Sequence, residues 1–314
     1  MRRLAILVFT AAAFGQTKDV GPPLIVSDIP NFWSAYDASQ PGSREEAFQK
    51  LYLDRASPGL RDFIKLRIGS AKRLAGAVDR QYPRFYASVR PYTLEVEKQA
   101  PVIARYLARY RELYPEAHFP PVYFVIGRLT SGGTTSDRGL LIGTEVNSLG
   151  PDVDSSEIDP SFRRAMGTAE HIPLIVVHEL THTQASEAQP GDLPELLRAC
   201  LSEGAADFMT ELVASSSINA YIKEWAEPRR EELFRRFARD LETNPKGTSG
   251  WLFNYDNVKE EPADLGYWIG AEICRSYYAQ AQDKRAAVRE IVTQAHPETI
   301  VRGSGYAWLV KPAP

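Results

Sequence analysis

The segment IPLIVVHELTHT, residues 172 to 183, constrains the fold more than any other part of the sequence. A run of large apolar residues leads directly into two histidines spaced four apart. On an α-helix this spacing places His178 and His182 on one face, one turn apart. The apolar run predicts a helix buried in the centre of a domain, where two histidines and a glutamate are costly without a partner. The segment therefore favours a helix built around a metal ion over an ordinary helix with a chance histidine pair.

The residue between the histidines adds a chemical function to the pair. Glu179 follows His178 directly and lies about 100° further round the helix. This offset keeps its carboxylate out of the inner coordination sphere but lets it contact a water molecule at the metal. A general base needs this position. The pattern H-E-x-x-H therefore predicts a hydrolytic centre, which requires a third protein ligand and one open position.

Three candidates compete for the third ligand. A histidine at position 188 with a glycine at 185 would mark the metzincin arrangement, but both positions are alanine. His171 lies seven residues before the first histidine, yet His-Ile-Pro is typical of a helix start. Glu203, in LSEGAADF on the next predicted helix, is the best candidate, and Asp207 lies one turn further along the same face. Asp207 could then accept the free ring N–H of a ligand histidine and fix its tautomer.

The alternative for Glu203 and Asp207 is a solvated helix face. Gly204 and the alanines beside it instead indicate close helix packing. Cys200 lies one turn before Glu203, but a fourth protein ligand would close the site. We interpret Cys200 as a core residue or as half of a disulfide with Cys274, the only other cysteine.

These motifs resemble those of the gluzincin metallopeptidases, the thermolysin-like clan, in which H-E-x-x-H is followed by E-x-x-x-D on a helix. The resemblance implies that His178, His182 and Glu203 hold Zn²⁺, that Glu179 is the general base and that Asp207 supports a ligand histidine. More broadly, FWSAYD, YLDRASPGLRDFI, GLLIGTE, HELTH, EGAADF and GYWIGAEI resemble exported bacterial families of predicted zinc-dependent proteases, which are related to gliding-motility lipoproteins.

Two further parts of the site are predicted less directly. A second donor to the tetrahedral oxyanion is typically Tyr or His. The sequence offers Tyr267, Tyr255 and His296, and we prefer Tyr267 because small residues on its helix suit packing on the metal helices. In the resembling clan, a strand at the cleft edge pairs with extended substrate. Residues 139–146, GLLIGTEV, are the candidate for that strand, and a plain core strand is the alternative.

Periodicity predicts the remaining architecture. Residues 44–114 carry apolar residues at helical spacing, broken near Pro58, Pro83, Pro91 and Pro101. From Pro120, PPVYFVIG and GLLIGTEV read as two antiparallel strands joined by the loop LTSGGTTSDR. We therefore expect a mainly helical α+β, zincin-like fold with a small antiparallel sheet. It would comprise a helical region at 16–118 and a catalytic region at 119–314, which form one continuous unit.

Charge and the N-terminal residues bound the partners and the compartment. A formal net charge of −3 in 314 residues gives no case for a nucleic-acid surface. Arg2 and Arg3 precede an apolar run from Leu4 to Phe14, so residues 1–15 are predicted to be a signal peptide for export to the periplasm or beyond. No cysteine follows the run, which argues against a lipid anchor. No other segment is apolar enough to span a membrane.

The expected function is zinc-dependent hydrolysis of peptide bonds in a peptide or protein substrate. Endopeptidase or oligopeptidase activity is favoured, since no G-x-M-E-N-type motif for capturing a substrate amine is present. The alternative is a non-catalytic envelope protein that uses the same scaffold for binding or assembly. The intact Glu179 argues against that alternative, because a binding module has no need of a base there. A hydrolase of other amide bonds is a third alternative, because it would use the same motifs.

Overall fold

The computed structural model of the chain describes residues 21–186, 193–255 and 258–310. The signal peptide predicted at residues 1–15 lies outside this part. Within it, helices surround a small sheet, and the mainly helical α+β class is confirmed. None of the described helices is both long and apolar enough to cross a membrane.

The N-terminal part is a series of short helices, three of which continue into a π-helical turn. The α-helices are α1 (Asp28–Asp37), α2 (Arg44–Phe48), α3 (Pro58–Phe63), α4 (Ala71–Gly76), α5 (Pro83–Thr93) and α6 (Ala100–Leu113). π-helical turns follow three of them, at Gln49–Leu53, Ile64–Ile68 and Ala77–Gln81. Pro58, Pro83 and Pro101 begin helices as expected, because proline suits the first turn. The break predicted near Pro91 does not occur, because Pro91 lies inside α5.

The sheet contains four strands in the order β1-β2-β4-β3: β1 (Leu24–Ile25), β2 (Val122–Val125), β3 (Gly133–Ser136) and β4 (Gly139–Gly143). The predicted antiparallel pairing of β2 with β4 is wrong, since these two strands are parallel. The reason is β3, which forms within the predicted loop and pairs antiparallel with β4. The additional reversal between β3 and β4 turns the chain back into the direction of β2.

The same topology corrects the predicted cleft strand. β4 lies between β2 and β3 and is buried along its whole length, so it is a core strand. Residues Thr144–Asn147 beyond it form a 3₁₀ turn. The strands at the two sheet edges are β1 and β3; β3 packs against α8, and its four residues are all partly exposed.

The C-terminal part is entirely helical where it is described. Its helices are α7 (Pro160–Ala165), α8 (Ile172–Thr183), α9 (Glu195–Ala214), α10 (Ala220–Ala226), α11 (Arg230–Thr243), α12 (Leu265–Gln280), α13 (Lys284–Thr293) and α14 (Pro297–Arg302). The predicted metal helix is α8, and the predicted helix carrying Glu203 is α9. The turn Glu227–Arg229, which contains Pro228, separates α10 from α11.

Packing places α8 at the centre of the molecule. One side of α8 contacts β3 and β4, and another side contacts α9. α9 in turn packs against α12, where Gly204 and Gly270 let the two backbones approach closely. A Cβ atom added at Gly204 would lie 2.1 Å from the carbonyl carbon of Gly270. The apolar side chains of α8 belong to the cluster that includes the sheet and the N-terminal helices, whereas α12 belongs to a second cluster.

Candidate metal centre

Three side chains from two helices converge on one point between α8 and α9. His178 and His182 come from successive turns of α8, and Glu203 comes from the facing side of α9. The Nε2 atoms of the two histidines lie 3.2 Å apart. Glu203 Oε2 lies 3.3 Å from Nε2 of His178 and 3.4 Å from Nε2 of His182. In the described part of the chain, this is the group of three side chains arranged to hold a metal ion.

The spacing of these atoms fits a tetrahedral zinc ion. Zinc binds histidine nitrogen and carboxylate oxygen at ~2.0–2.2 Å, so two ligands at a tetrahedral angle lie roughly 3.3–3.5 Å apart. The three observed separations of 3.2, 3.3 and 3.4 Å come close to this requirement. Two histidines and one glutamate also leave a fourth position free, as a hydrolytic zinc site requires.

A carboxylate behind His178 determines which ring nitrogen faces the centre. Nδ1 of His178 lies 2.9 Å from Oδ1 of Asp207, one turn after Glu203 on α9. Nδ1–H donates to this carboxylate, so Nε2 is the ring nitrogen that faces Glu203. An amide supports the carboxylate from its far side, because Asn219 Nδ2 donates to Asp207 Oδ2 at 2.7 Å. Asp207 thereby turns Nε2 of His178 towards Nε2 of His182 and Oε2 of Glu203, where the three atoms could share one cation.

The charges in this cluster are strongly coupled. Burial disfavours the charged form of His178, but hydrogen bonds to Asp207 and Glu203 outweigh it and hold its pKa well above the ordinary value. Burial likewise opposes ionisation of Glu203, yet hydrogen bonds with both histidines hold its pKa far below the ordinary range. In the absence of a metal, the raised pKa of His178 favours a proton on that ring, which supplies positive charge beside this carboxylate. A divalent cation would take over that role.

Glu179 lies beside the three candidate ligands and faces the sheet. It is buried, and burial raises its pKa, although the neighbouring histidines oppose the shift. The backbone of β3 closes over its carboxylate: a Cβ atom added at Gly133 would lie only 2.4 Å from Oε1 of Glu179. The edge strand can therefore approach the base this closely only because residue 133 is glycine.

The candidates for an oxyanion donor occupy different places. The ring of Tyr267 stacks on His178, with centroids 5.9 Å apart and planes inclined by 19°. The side chain of Tyr255 hydrogen-bonds with Asp264, and burial raises the pKa of both groups. His296 is exposed before α14. Of the three, Tyr267 is the one that contacts a ligand histidine, and burial raises the pKa of its hydroxyl well above the ordinary value.

The remaining sequence candidates do not join the centre. His171 lies in the turn before α8, where its Nδ1 accepts from the backbone N–H of Thr168 and completes the helix cap. Cys200 and Cys274 are both buried and unpaired, so the disulfide alternative is not realised. Burial raises the pKa of the Cys200 thiol, as expected of a core cysteine.

Sequence reasoning missed three contributors. Asn219 supports Asp207 from the loop before α10, β3 covers Glu179, and Arg67 donates from Nη2 to Thr134 Oγ1 of β3 at 3.1 Å. A polar residue twelve positions after Asp207 carries no local signal. The glycine pair in LTSGGTTSDR was a signal, because adjacent glycines next to a strand can mark a close backbone approach.

Comparison with known proteins gives one family. No curated protein matches the chain, and no solved structure matches it. The family model of the gliding motility protein GldB matches residues 44–308, a range that extends from α2 past α14 and includes the whole metal centre. This match confirms the relation to gliding-motility lipoproteins that the sequence motifs indicated. The chain thus belongs to the family of the gliding motility protein GldB.

Proposed function

We propose that this chain is an exported zinc-dependent hydrolase of peptide bonds. One observation carries the proposal: Nε2 of His178, Nε2 of His182 and Oε2 of Glu203 meet at tetrahedral-ligand spacing, with the carboxylate of Glu179 beside them. A structural zinc site would use a fourth protein ligand and would have no use for an adjacent buried carboxylate.

Each side chain has a defined task in this proposal. His178, His182 and Glu203 would hold the ion, and Asp207 orients His178 by accepting a hydrogen bond from Nδ1, so that Nε2 faces the ion. When bound there, zinc would supply Lewis acidity to the scissile carbonyl and to the attacking water. Glu179 accepts the water proton on its carboxylate and delivers it to the leaving nitrogen. Burial raises its pKa, and a carboxylate that binds a proton more readily than usual is better able to accept the proton of the water.

Substrate would bind along the edge of the sheet. β3 is an edge strand, and its backbone at Gly133 contacts Glu179. An extended peptide that adds to this edge would place its backbone beside the base. Tyr267, on the other side of His178, is the group best placed to donate to the developing oxyanion.

Family membership favours a second candidate. The match to the gliding motility protein GldB supports a role as an envelope component that binds or assembles with other proteins without catalysis. In that case the cluster would stabilise the contact between α8 and α9, with or without zinc. The two candidates share an exported location, and they differ in what Glu179 does.

Three proteins separate the candidates: the wild type, Glu179→Gln and Glu203→Gln, all purified without chelators. We expect one zinc per chain in the wild type and in Glu179→Gln, and loss of tight zinc binding in Glu203→Gln. Only the wild type should cleave a mixed-peptide library. If the wild type binds zinc but cleaves no more than Glu179→Gln, the envelope component is the better description. A wild type that binds no zinc would remove the ligand set as well.

A further inference from the structure

Phe253 has a combination of properties that folding alone does not favour. Its φ angle is +55°, in the left-handed region, and its side chain is 68% exposed, the highest value among the described large apolar side chains. Bulky residues rarely adopt positive φ, which glycine and asparagine adopt readily. Such an outlier is a reason to look for a function.

The surrounding loop is anchored on both sides of Phe253. The neighbouring residues are buried: the exposed fraction is 2% or less for Trp251, Leu252 and Asn254. The backbone N–H of Phe253 donates to the Asp264 carboxylate, and the N–H of Asp264 donates to the side-chain oxygen of Asn254 at 2.8 Å. The ring is therefore exposed because the surrounding backbone is fixed in this conformation.

This exposed ring continues a row of rings that starts at the metal centre. Tyr267 stacks on His178, and the ring of Phe253 meets Tyr267 edge to face, with centroids 6.5 Å apart and planes at 85°. The row leads from a buried ligand through a partly buried tyrosine to a ring in solvent. An apolar surface is thus presented two rings away from the ligand His178.

We propose that Phe253 selects substrates by contacting a large apolar or aromatic side chain of the bound peptide, close to the bond that is cleaved. The ligand class rests on the proposed peptide hydrolysis, whereas the apolar preference rests on the exposed ring itself. Burying the ring against such a side chain would remove apolar surface from water, and a polar side chain would gain nothing there.

The test uses two series of peptides that differ at one varied position, with either Phe and Leu or Ser and Gln. Phe253→Asn relieves the backbone conformation, since asparagine tolerates positive φ, and removes the ring. Phe253→Leu keeps an apolar side chain. Trp308→Ala removes another exposed aromatic, 56% accessible, that lies outside the row.

We expect Phe253→Asn to lower kcat/KM for the apolar series by on the order of tenfold or more, and to leave the polar series nearly unchanged. Phe253→Leu should retain most of the preference, and Trp308→Ala all of it. The thermal midpoint of Phe253→Asn should equal or exceed that of the wild type. An equal loss on both series, or no loss on either, would overturn the proposal.

Peptide binding, measured by titration calorimetry on the same four proteins, keeps this result separate from the proposed hydrolysis. If the wild type cleaves nothing yet binds the apolar series more tightly than the polar series, and Phe253→Asn loses that difference, the hydrolase proposal fails and the role of Phe253 stands. If the wild type shows no apolar preference in either cleavage or binding, the role of Phe253 is refuted.

Discussion

Asp207 Oδ1 lies 2.9 Å from Nδ1 of His178, and the opposite ring nitrogen of His178 lies 3.3 Å from Glu203. One histidine thus links a buried carboxylate to the centre where the ligand atoms meet. The carboxylate fixes the tautomer and the orientation of the ring, two properties on which metal affinity depends.

Removing that carboxylate should weaken zinc binding without removing a ligand. We expect Asp207→Ala to lower zinc affinity 10- to 100-fold. Asp207→Asn should lose less, since an amide oxygen can still accept from Nδ1. Asn219→Ala should weaken binding slightly, because it removes the 2.7 Å hydrogen bond to Asp207. Competition with a chromophoric chelator measures the affinities, and melting curves of the metal-free proteins control for folding. An affinity for Asp207→Ala within twofold of wild type would contradict this role.

The close approach of β3 to the base makes Gly133 sensitive to any side chain. A Cβ atom there would lie 2.4 Å from Glu179 Oε1, so Gly133→Ala must displace either the carboxylate or the strand. If the proposed hydrolysis is correct, we expect activity to fall on the order of 10²-fold, because a misplacement of about 1 Å has that effect. Zinc affinity should stay within a few-fold of wild type.

Gly132→Ala is the matched control for this variant. Its added Cβ atom would meet Asn147 and Val146 at 3.3 Å and would not contact Glu179. Activity should therefore fall much less than in Gly133→Ala. Similar activity in the two variants would show that the contact between the strand and the base is unimportant.

The crossing of α9 and α12 should be intolerant of side chains. A Cβ atom at Gly270 would lie 1.8 Å from the carbonyl oxygen of Cys200, and neither backbone can move easily in this buried contact. Overpacking typically costs about 1–3 kcal/mol, and Gly270→Ala should lose at least that much free energy of unfolding in urea titrations. Gly250→Ala, with no atom within 4 Å of the new carbon, should change stability by less than about 0.5 kcal/mol. Equal stability of the two variants would refute the close crossing.

Glu145 should make the stability of the fold depend on pH. Its side chain is fully buried, and burial raises its pKa to about 7 from an ordinary value of 4.5. Oε1 accepts a hydrogen bond from the backbone N–H of Leu129 at 3.1 Å, and backbone hydrogen bonds lower the pKa less than burial raises it. The folded state therefore holds a proton that the unfolded state releases between pH 4.5 and 7. Because the unfolded state then binds fewer protons, stability falls as pH rises through this window.

The size of this effect follows from the pKa difference and is about 3 kcal/mol when the titration is complete. Urea unfolding at pH 5 and pH 8 should show this loss in the wild type. Glu145→Gln should remove most of it, and Glu97→Gln, which changes an exposed carboxylate, should not. If the wild type loses no more stability than Glu145→Gln between pH 5 and pH 8, burial does not raise the pKa of Glu145.

Residue spacing within single helices explains why so much of the candidate site could be predicted. The spacing of His178 and His182 and the one-turn step from Glu203 to Asp207 are properties of single helices, so sequence alone places each pair on one face. The long apolar run before the histidines identified the central helix, and Gly204 marked where another helix packs closely.

Tertiary structure decided how the remaining pieces meet. Strand pairing depends on the positions of other strands, which local sequence does not specify. The glycine-rich segment that reads as a loop therefore contains β3, and with this additional strand β2 and β4 are parallel. The support from Asn219 and the exposed ring of Phe253, whose φ is positive, likewise depend on loops that hydrogen-bond to neighbouring helices or to their own far ends. Sequence thus determined which side chains each helix presents, because that depends on periodicity within a few residues. Only the packed structure decided which backbone covers Glu179 and which ring faces solvent, because those depend on contacts between segments far apart in the chain.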